Sequence, residues 1–154
     1  RRQRQMCIRD RSNIKEILSK YKSIAMVGVS NNPTKASTIV MKYMQKYGFK
    51  VYPVNPKAKS QKILGEEVYE KITDIKDGVD IVDVFRPSIE ALEIAKDTVN
   101  INAKVLWLQL GIKNEEAKKL VKENNIEYVE DRCTKMEYQK HFLKIRQAFP
   151  VLQD

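Results

Sequence analysis

The chain is poor in the residues that build reactive centres. It has one histidine, His141, and two cysteines, Cys7 and Cys133, in 154 residues. His141 has no serine, cysteine or metal-ligating partner in view, so neither a nucleophilic triad nor a histidine-based metal site is indicated. So little cysteine cannot staple a fold or build a Cys-rich zinc site, and it suits a reducing compartment. No apolar run approaches the ~20 residues that span a bilayer. There is no internal repeat and no low-complexity linker.

The basic excess shrinks on inspection. Residues 1–11, Arg-Arg-Gln-Arg-Gln-Met-Cys-Ile-Arg-Asp-Arg, match one reading frame of a common transposase sequencing adapter and are expected to be non-native. Setting aside their five Arg and one Asp takes the formal net charge from +9 to +5. What remains is lysine scattered among glutamate on solvated faces, which does not call for nucleic acid. Cys133 is then the lone thiol. A cytoplasmic location is expected, with a lost targeting peptide as the alternative if the native N-terminus lies upstream. Residues 12–148 suit one domain with a sizeable core, followed by a tail over 149–154.

Apolar periodicity alternates between strand and helix. Asn13 with Glu16 reads as a capping box ahead of a helix carrying Ile14, Ile17, Leu18 and Tyr21. Ser23–Val29 reads as a buried strand. Ala36, Ile39, Val40, Tyr43, Met44 and Tyr47 fall on one helical face, and Gly48 ends it. Val51–Val54 is a strand whose Pro53 belongs on an unpaired side. Residues 57–78 are irregular, with a short edge strand near Glu67-Val68-Tyr69 and a helical turn around Ile72 to Ile75. Strands at 80–85, 104–108 and 126–129 alternate with helices, one with Ala91, Leu92, Ala95 and Val99 on a face, one capped by Asn114. Thr134 with Glu137 reads as a second capping box before a helix bearing Tyr138, Phe142 and Ile145. This order predicts an α/β fold: a Rossmann-like, doubly wound parallel sheet of five to six strands in three layers.

Ligands on such sheets bind beyond the carboxyl ends of the strands. The first such end, Gly28-Val29-Ser30-Asn31-Asn32-Pro33-Thr34-Lys35-Ala36-Ser37, runs from a strand into a helix, as a phosphate-binding turn does. It lacks the dinucleotide fingerprint, with Ser30 and Pro33 in place of its second and third glycines. The second strand ends in Val54-Asn55-Pro56-Lys57, where an NAD site usually has a carboxylate for the ribose diol. Neutral Asn55 beside Lys57 tolerates a phosphorylated ribose instead. Charge alone leaves both the 3′-phosphate of coenzyme A and the 2′-phosphate of NADP open.

Taken in order, Gly28-Val29-Ser30, Pro33, Lys35 and Ser37, then Tyr52 to Pro56, Ile63-Leu64-Gly65, Asp80 to Arg86, Trp107 to Ile112 and Asp131-Arg132-Cys133 resemble the small stand-alone CoA-binding proteins. Those are similar to the CoA-binding N-terminal domain of the succinyl-CoA synthetase α-subunit. The resemblance covers about residues 14–138. It implies coenzyme A or acyl-CoA lying along the strand ends. Gly28, Ser30, Pro33, Lys35 and Ser37 would surround the phosphates, Asn55 and Pro56 would line the adenosine side, and Arg86 would face the ligand. Lys35-Ala36 stands where most relatives have Arg-Pro, which keeps a charge but not a bidentate fork. The synthetase's phosphorylated histidine lies in a second domain outside the resemblance, so its ligase chemistry does not carry over.

Gln109 and Gly111, at the next strand end, are further candidates for ligand contact. Asp80 and Asp83 point to opposite faces of one strand and are no acid–base pair; one is expected to be a hydrogen-bonded structural carboxylate. Trp107 is expected in the core. Cys133 could form a mixed disulfide with the coenzyme's thiol, but reads better as an ordinary small residue. With no catalytic constellation, the chain is expected to be a binding module for a CoA-type small molecule, with no metal, nucleic acid or membrane partner. The alternative is an NADP-dependent reductase or another nucleotide-binding enzyme.

Overall fold

The computed structural model describes residues 14–58 and 61–144. The expected adapter, the Asn13 cap, Ile145 and the tail lie outside them. A first helix, α1, covers residues 14–20. Then follow β1 (Ser23–Val27), α2 (Ala36–Lys46), β2 (Lys50–Val54), a hairpin of β3 (Lys62–Ile63) and β4 (Glu66–Glu67), and β5 (Ile81–Val84). The chain continues through α3 (Ala91–Asn100), β6 (Val105–Leu108), α4 (Glu115–Glu123), β7 (Glu127–Val129) and α5 (Thr134–Tyr138).

Five strands form one parallel sheet in the order β2-β1-β5-β6-β7. The crossover after β1 moves outward one way and that after β2 moves the other way. The order therefore reverses between β1 and β5, which is where such sheets open a crevice. Side-chain alternation sorts the core into two layers. Ile24, Met26, Ile81 and Trp107 pack under α1 and α2, with Leu18, Met41 and Met44. Ala25, Val27, Val82, Leu106 and Leu108 pack under α3 and α4, with Ala95 and Val121. Each fully buried Met, Leu or Ile side chain contributes about 1.5–3 kcal/mol of transfer free energy. The three-layer reading holds, with five strands in the main sheet.

Pro53 sits in β2, an edge strand. Lys50 and Val54 make the backbone bonds to the β1 side, so Pro53 faces outward, where its missing N–H costs nothing. Its carbonyl accepts from the Tyr69 N–H at 2.9 Å, so the expected edge strand shrinks to one bridge between Val54 and Tyr69.

Three local expectations are corrected. The α2 face is rotated: Ser37, Val40, Met41 and Met44 are buried, whereas Ile39 is 44% exposed. Tyr43 and Tyr47 turn aside to meet Tyr138 of α5, their ring centroids 6.4 and 5.0 Å from it. Thr134 does not cap α5. It is fully buried, and its hydroxyl bonds Asp83 and Gln109, so Cys133 precedes the helix without a side-chain cap. The helix face with Leu92 and Val99 is only partly buried; Ala91, Ala95 and Thr98 are the residues seated on the sheet. Asn114 caps α4 as expected, accepting from the Ala117 N–H at 2.8 Å.

Candidate functional site

β1 ends at Gly28, whose φ of +96° favours glycine. Its N–H donates to the Val54 carbonyl at 2.8 Å. A Cβ there would lie 2.8 Å from the Phe85 carbonyl oxygen and 2.9 Å from Arg86 Cδ. The missing side chain thus lets the chain leaving β5 close over the end of β1, at the point where strand order reverses.

The turn beyond Gly28 is stitched by its own polar side chains. Ser30 Oγ accepts from the Asn32 N–H at 3.0 Å, and Asn32 Oδ1 accepts from the Thr34 N–H at 2.9 Å. Buried Ser37 accepts from the Ser30 N–H at 3.1 Å, while the Thr38 hydroxyl donates to the Ser30 carbonyl at 2.6 Å. The loop is therefore shaped before any ligand arrives. Lys35 occupies the N-cap position of α2 with extended backbone and no side-chain cap, and the first turn carries no acid. The free amides and positive pole of this 11-residue helix stay unneutralised by its own side chains. Asn32, Thr34 and Thr38 escaped the sequence reading because their role depends on loop geometry; the Asn-x-Thr spacing of an Asx turn was the available signal.

Asn55, at the end of β2, faces inward to its own chain. Its Nδ2 donates to the Val29 carbonyl at 2.8 Å, and its Oδ1 accepts from the Lys57 N–H at 2.9 Å. It ties the first turn to the short 3₁₀ helix Pro56–Ala58 and fixes where Lys57 starts.

A cavity of about 280 Å³ opens at this crevice. It brings together Gly28, Asn55, Pro56 and Arg86 of the predicted residues. Val27, Val54, Ile72 and Ile94 give it apolar walls, and Lys57, Lys71, Glu70, Glu90 and Asp97 supply charge. Arg86 forms a two-pronged pair with Glu90, at 2.9 Å from Nε and 2.8 Å from Nη2. That contact raises the Arg86 pKa and lowers that of Glu90. Burial raises the Asp97 carboxyl pKa, opposed by the nearby positive charge of Lys71. Ile72, Lys71, Ile94 and Asp97 carried no strand-end signal; the fold brings them in from the 3₁₀ turn Ile72–Asp74, with Lys71 before it, and from the flank of α3.

Ser30, Pro33, Lys35 and Ser37 line the turn rather than this cavity. Gln109 and Gly111 sit apart from it. Gln109 is buried, and its Nε2 donates to Asp83 Oδ1 at 2.6 Å and to Thr134 Oγ1 at 3.1 Å. The Gly111 N–H donates to Asp131 at 2.7 Å. Asp83 is the structural carboxylate, fully buried, and Trp107 is core, its indole N–H donating to the Arg132 carbonyl at 2.8 Å. Burial pushes the Cys133 thiol pKa up, away from ready thiolate formation. His141 lies 3.3 Å from Glu137. Among the described residues no group of three His, Cys, Asp or Glu could hold a metal ion, and no helix is long and apolar enough to cross a membrane.

A family model described as a CoA binding domain matches residues 22–139. The uncharacterized protein YneT of Bacillus subtilis is 37% identical over 126 residues, covering 82% of this chain and 92% of that protein. The alpha subunit of an ADP-forming acetate–CoA ligase from Pyrococcus furiosus is 31% identical over 112 residues, covering 68% of this chain but 24% of that subunit. A solved structure of a hypothetical protein from Pyrococcus horikoshii matches with a TM-score of 0.80 and 38% identity, covering 84% of this chain and 89% of that one.

Proposed function

The chain belongs to the CoA binding domain family, and from that premise we propose that it binds coenzyme A or an acyl-CoA at the reversal point between β1 and β5. The observation that carries this reading is the cavity running from Gly28, the residue that ends β1 and begins the turn toward α2, to the flank of α3. The amides at the start of α2 and the turn of Ser30, Pro33, Lys35 and Ser37 take the pyrophosphate, with no acid in the first helical turn to oppose it. The apolar walls take the adenosine. Lys57, on the residue pair that replaces an NAD-type carboxylate, takes the ribose phosphate. Asn55 acts by holding Val29 and Lys57 in place rather than by touching the ligand. Arg86 lies on the cavity wall, its fork held by Glu90.

Calorimetric titration of the full chain with coenzyme A, dephospho-coenzyme A, NADP and NAD tests this. Coenzyme A is expected to bind tightest, and loss of the 3′-phosphate should weaken binding about tenfold, as loss of one charge-assisted contact does. Tight NADP binding with none for coenzyme A would overturn the assignment.

A further inference from the structure

The cavity runs along one face of α3. Gly28, Arg86 and Glu90 line it near the ends of β1 and β5, and the α3 residues Ile94 and Asp97 line it as well. Asp97 lies seven positions after Glu90 and three after Ile94, about 10 Å along the helix axis from Glu90. Val54, Ile72 and Ile94 are among its apolar walls. With the adenosine against those walls, as the coenzyme A reading has it, Asp97 is the carboxylate that the edge of the base would meet.

Its chemistry there is unusual for a mostly apolar slot. An ionised carboxylate only accepts hydrogen bonds. Among the described residues no hydrogen bond or ion pair reaches the Asp97 side chain; Lys71 and Glu93 act on it only through longer-range charge. A wall acceptor without a donor is complementary to an exocyclic amino group and opposed to a ring carbonyl.

Resting on the coenzyme A reading above, we propose that Asp97 selects the adenine base, accepting from its 6-amino group and rejecting a purine with oxygen at that position. Replacing the amino group by oxygen sets two acceptors against each other at that position, and the donor the new ring offers, its N1–H, lies at a different point of the edge, so the carboxylate pairs with it only if the ring shifts. A site built to bond one polar group discriminates strongly for that reason. The apolar residues recognise a ring; Asp97 recognises which ring.

The experiment compares coenzyme A with its deaminated hypoxanthine analogue by calorimetry on the full chain, for the native protein and for Asp97→Asn and Asp97→Ala. The native protein should bind coenzyme A at least about tenfold more tightly than the analogue. Asp97→Asn can both donate and accept, so its preference should fall to within about twofold, and Asp97→Ala should weaken coenzyme A while binding the analogue as tightly as the native protein does or more tightly. Equal binding of the two ligands by the native protein, or an undiminished preference in Asp97→Asn, overturns the role of Asp97 and leaves the coenzyme A reading standing. Failure of the native protein to bind either ligand overturns both.

Discussion

The Asn55 side chain reaches across from the end of β2 to the carbonyl oxygen of Val29, 2.8 Å away, and so joins the two loops that frame the crevice. The same amide accepts from the Lys57 N–H. One residue therefore fixes both the turn after β1 and the start of the segment that carries Lys57. Asn55→Ala removes both bonds at a half-buried position. It should lower stability by about 1–2 kcal/mol, measured by urea unfolding, and weaken coenzyme A about tenfold. Asn55→Asp keeps the acceptor for Lys57 but turns an oxygen toward the Val29 carbonyl and adds negative charge; its affinity should fall below that of the alanine variant. Native-like affinity in both variants would count against Asn55 as a positioning residue.

Gly28 is required by the close approach of its neighbour Phe85. Gly28→Ala forces a Cβ to within 2.8 Å of the Phe85 carbonyl oxygen, in a backbone region that L residues avoid. Backbone relief means separating β1 from β5 at the crevice. The variant should lose about 2–3 kcal/mol of stability, with a matching drop in the midpoint of urea unfolding. A change under about 0.5 kcal/mol would show that the strand ends are not held this tightly.

The strands, the helices and the turn after β1 were legible in the sequence because each is a local pattern: apolar runs, a 3.6-residue period, a glycine before small polar residues. Within the site, Gly28, Asn55, Pro56 and Arg86 were legible because a parallel sheet aligns its strand ends. Asp97 and Ile72 were not, since they reach the cavity from a helix flank and from the helical turn Ile72–Asp74, whose docking is a tertiary event. Thr134 shows the opposite difficulty. Thr-x-x-Glu is a sound local signal, but a buried carboxylate at Asp83 needs donors more than a surface-facing amide needs a cap, and the hydroxyl goes there. The period that points Ile39 inward fits two neighbouring faces of α2, and sheet packing selects the one bearing Met41.

The Arg86–Glu90 pair predicts how the site answers to charge. Both side chains are more than 40% exposed, so the pair adds little stability. Its effect falls on binding, because Glu90 holds the fork that a phosphate would use and adds its own negative charge to the wall. Glu90→Gln should change stability by less than about 0.5 kcal/mol and tighten coenzyme A severalfold at low salt, the gain fading as ionic strength rises. Weaker binding in this variant would mean that Glu90 orients Arg86 productively instead.

Asp83 gives the fold a pH dependence of its own. It is fully buried on β5, and burial pushes its pKa from 3.8 to about 7, against the hydrogen bonds from Gln109 and Thr134 that favour the carboxylate. A folded-state value above the unfolded one means the native state holds this proton more tightly. The stability from Asp83 is therefore fully present below about pH 4 and is lost as pH rises through about 7, with a slope approaching 1.4 kcal/mol per pH unit in between. Asp83→Asn is nearly isosteric, can still accept from Gln109, and has no charge to bury. Urea unfolding between pH 4.5 and 8.5 should show Asp83→Asn gaining on the native protein as pH rises, with the gap levelling off above about pH 7. Thr134→Val removes one donor to the carboxylate, so it should raise the Asp83 pKa further and shift the loss to higher pH, readable as a carboxyl carbon titration by NMR. Parallel stability curves for the native protein and Asp83→Asn would mean that Asp83 titrates as an exposed carboxylate does and that the bonds to Gln109 and Thr134 do not hold it in a dry core.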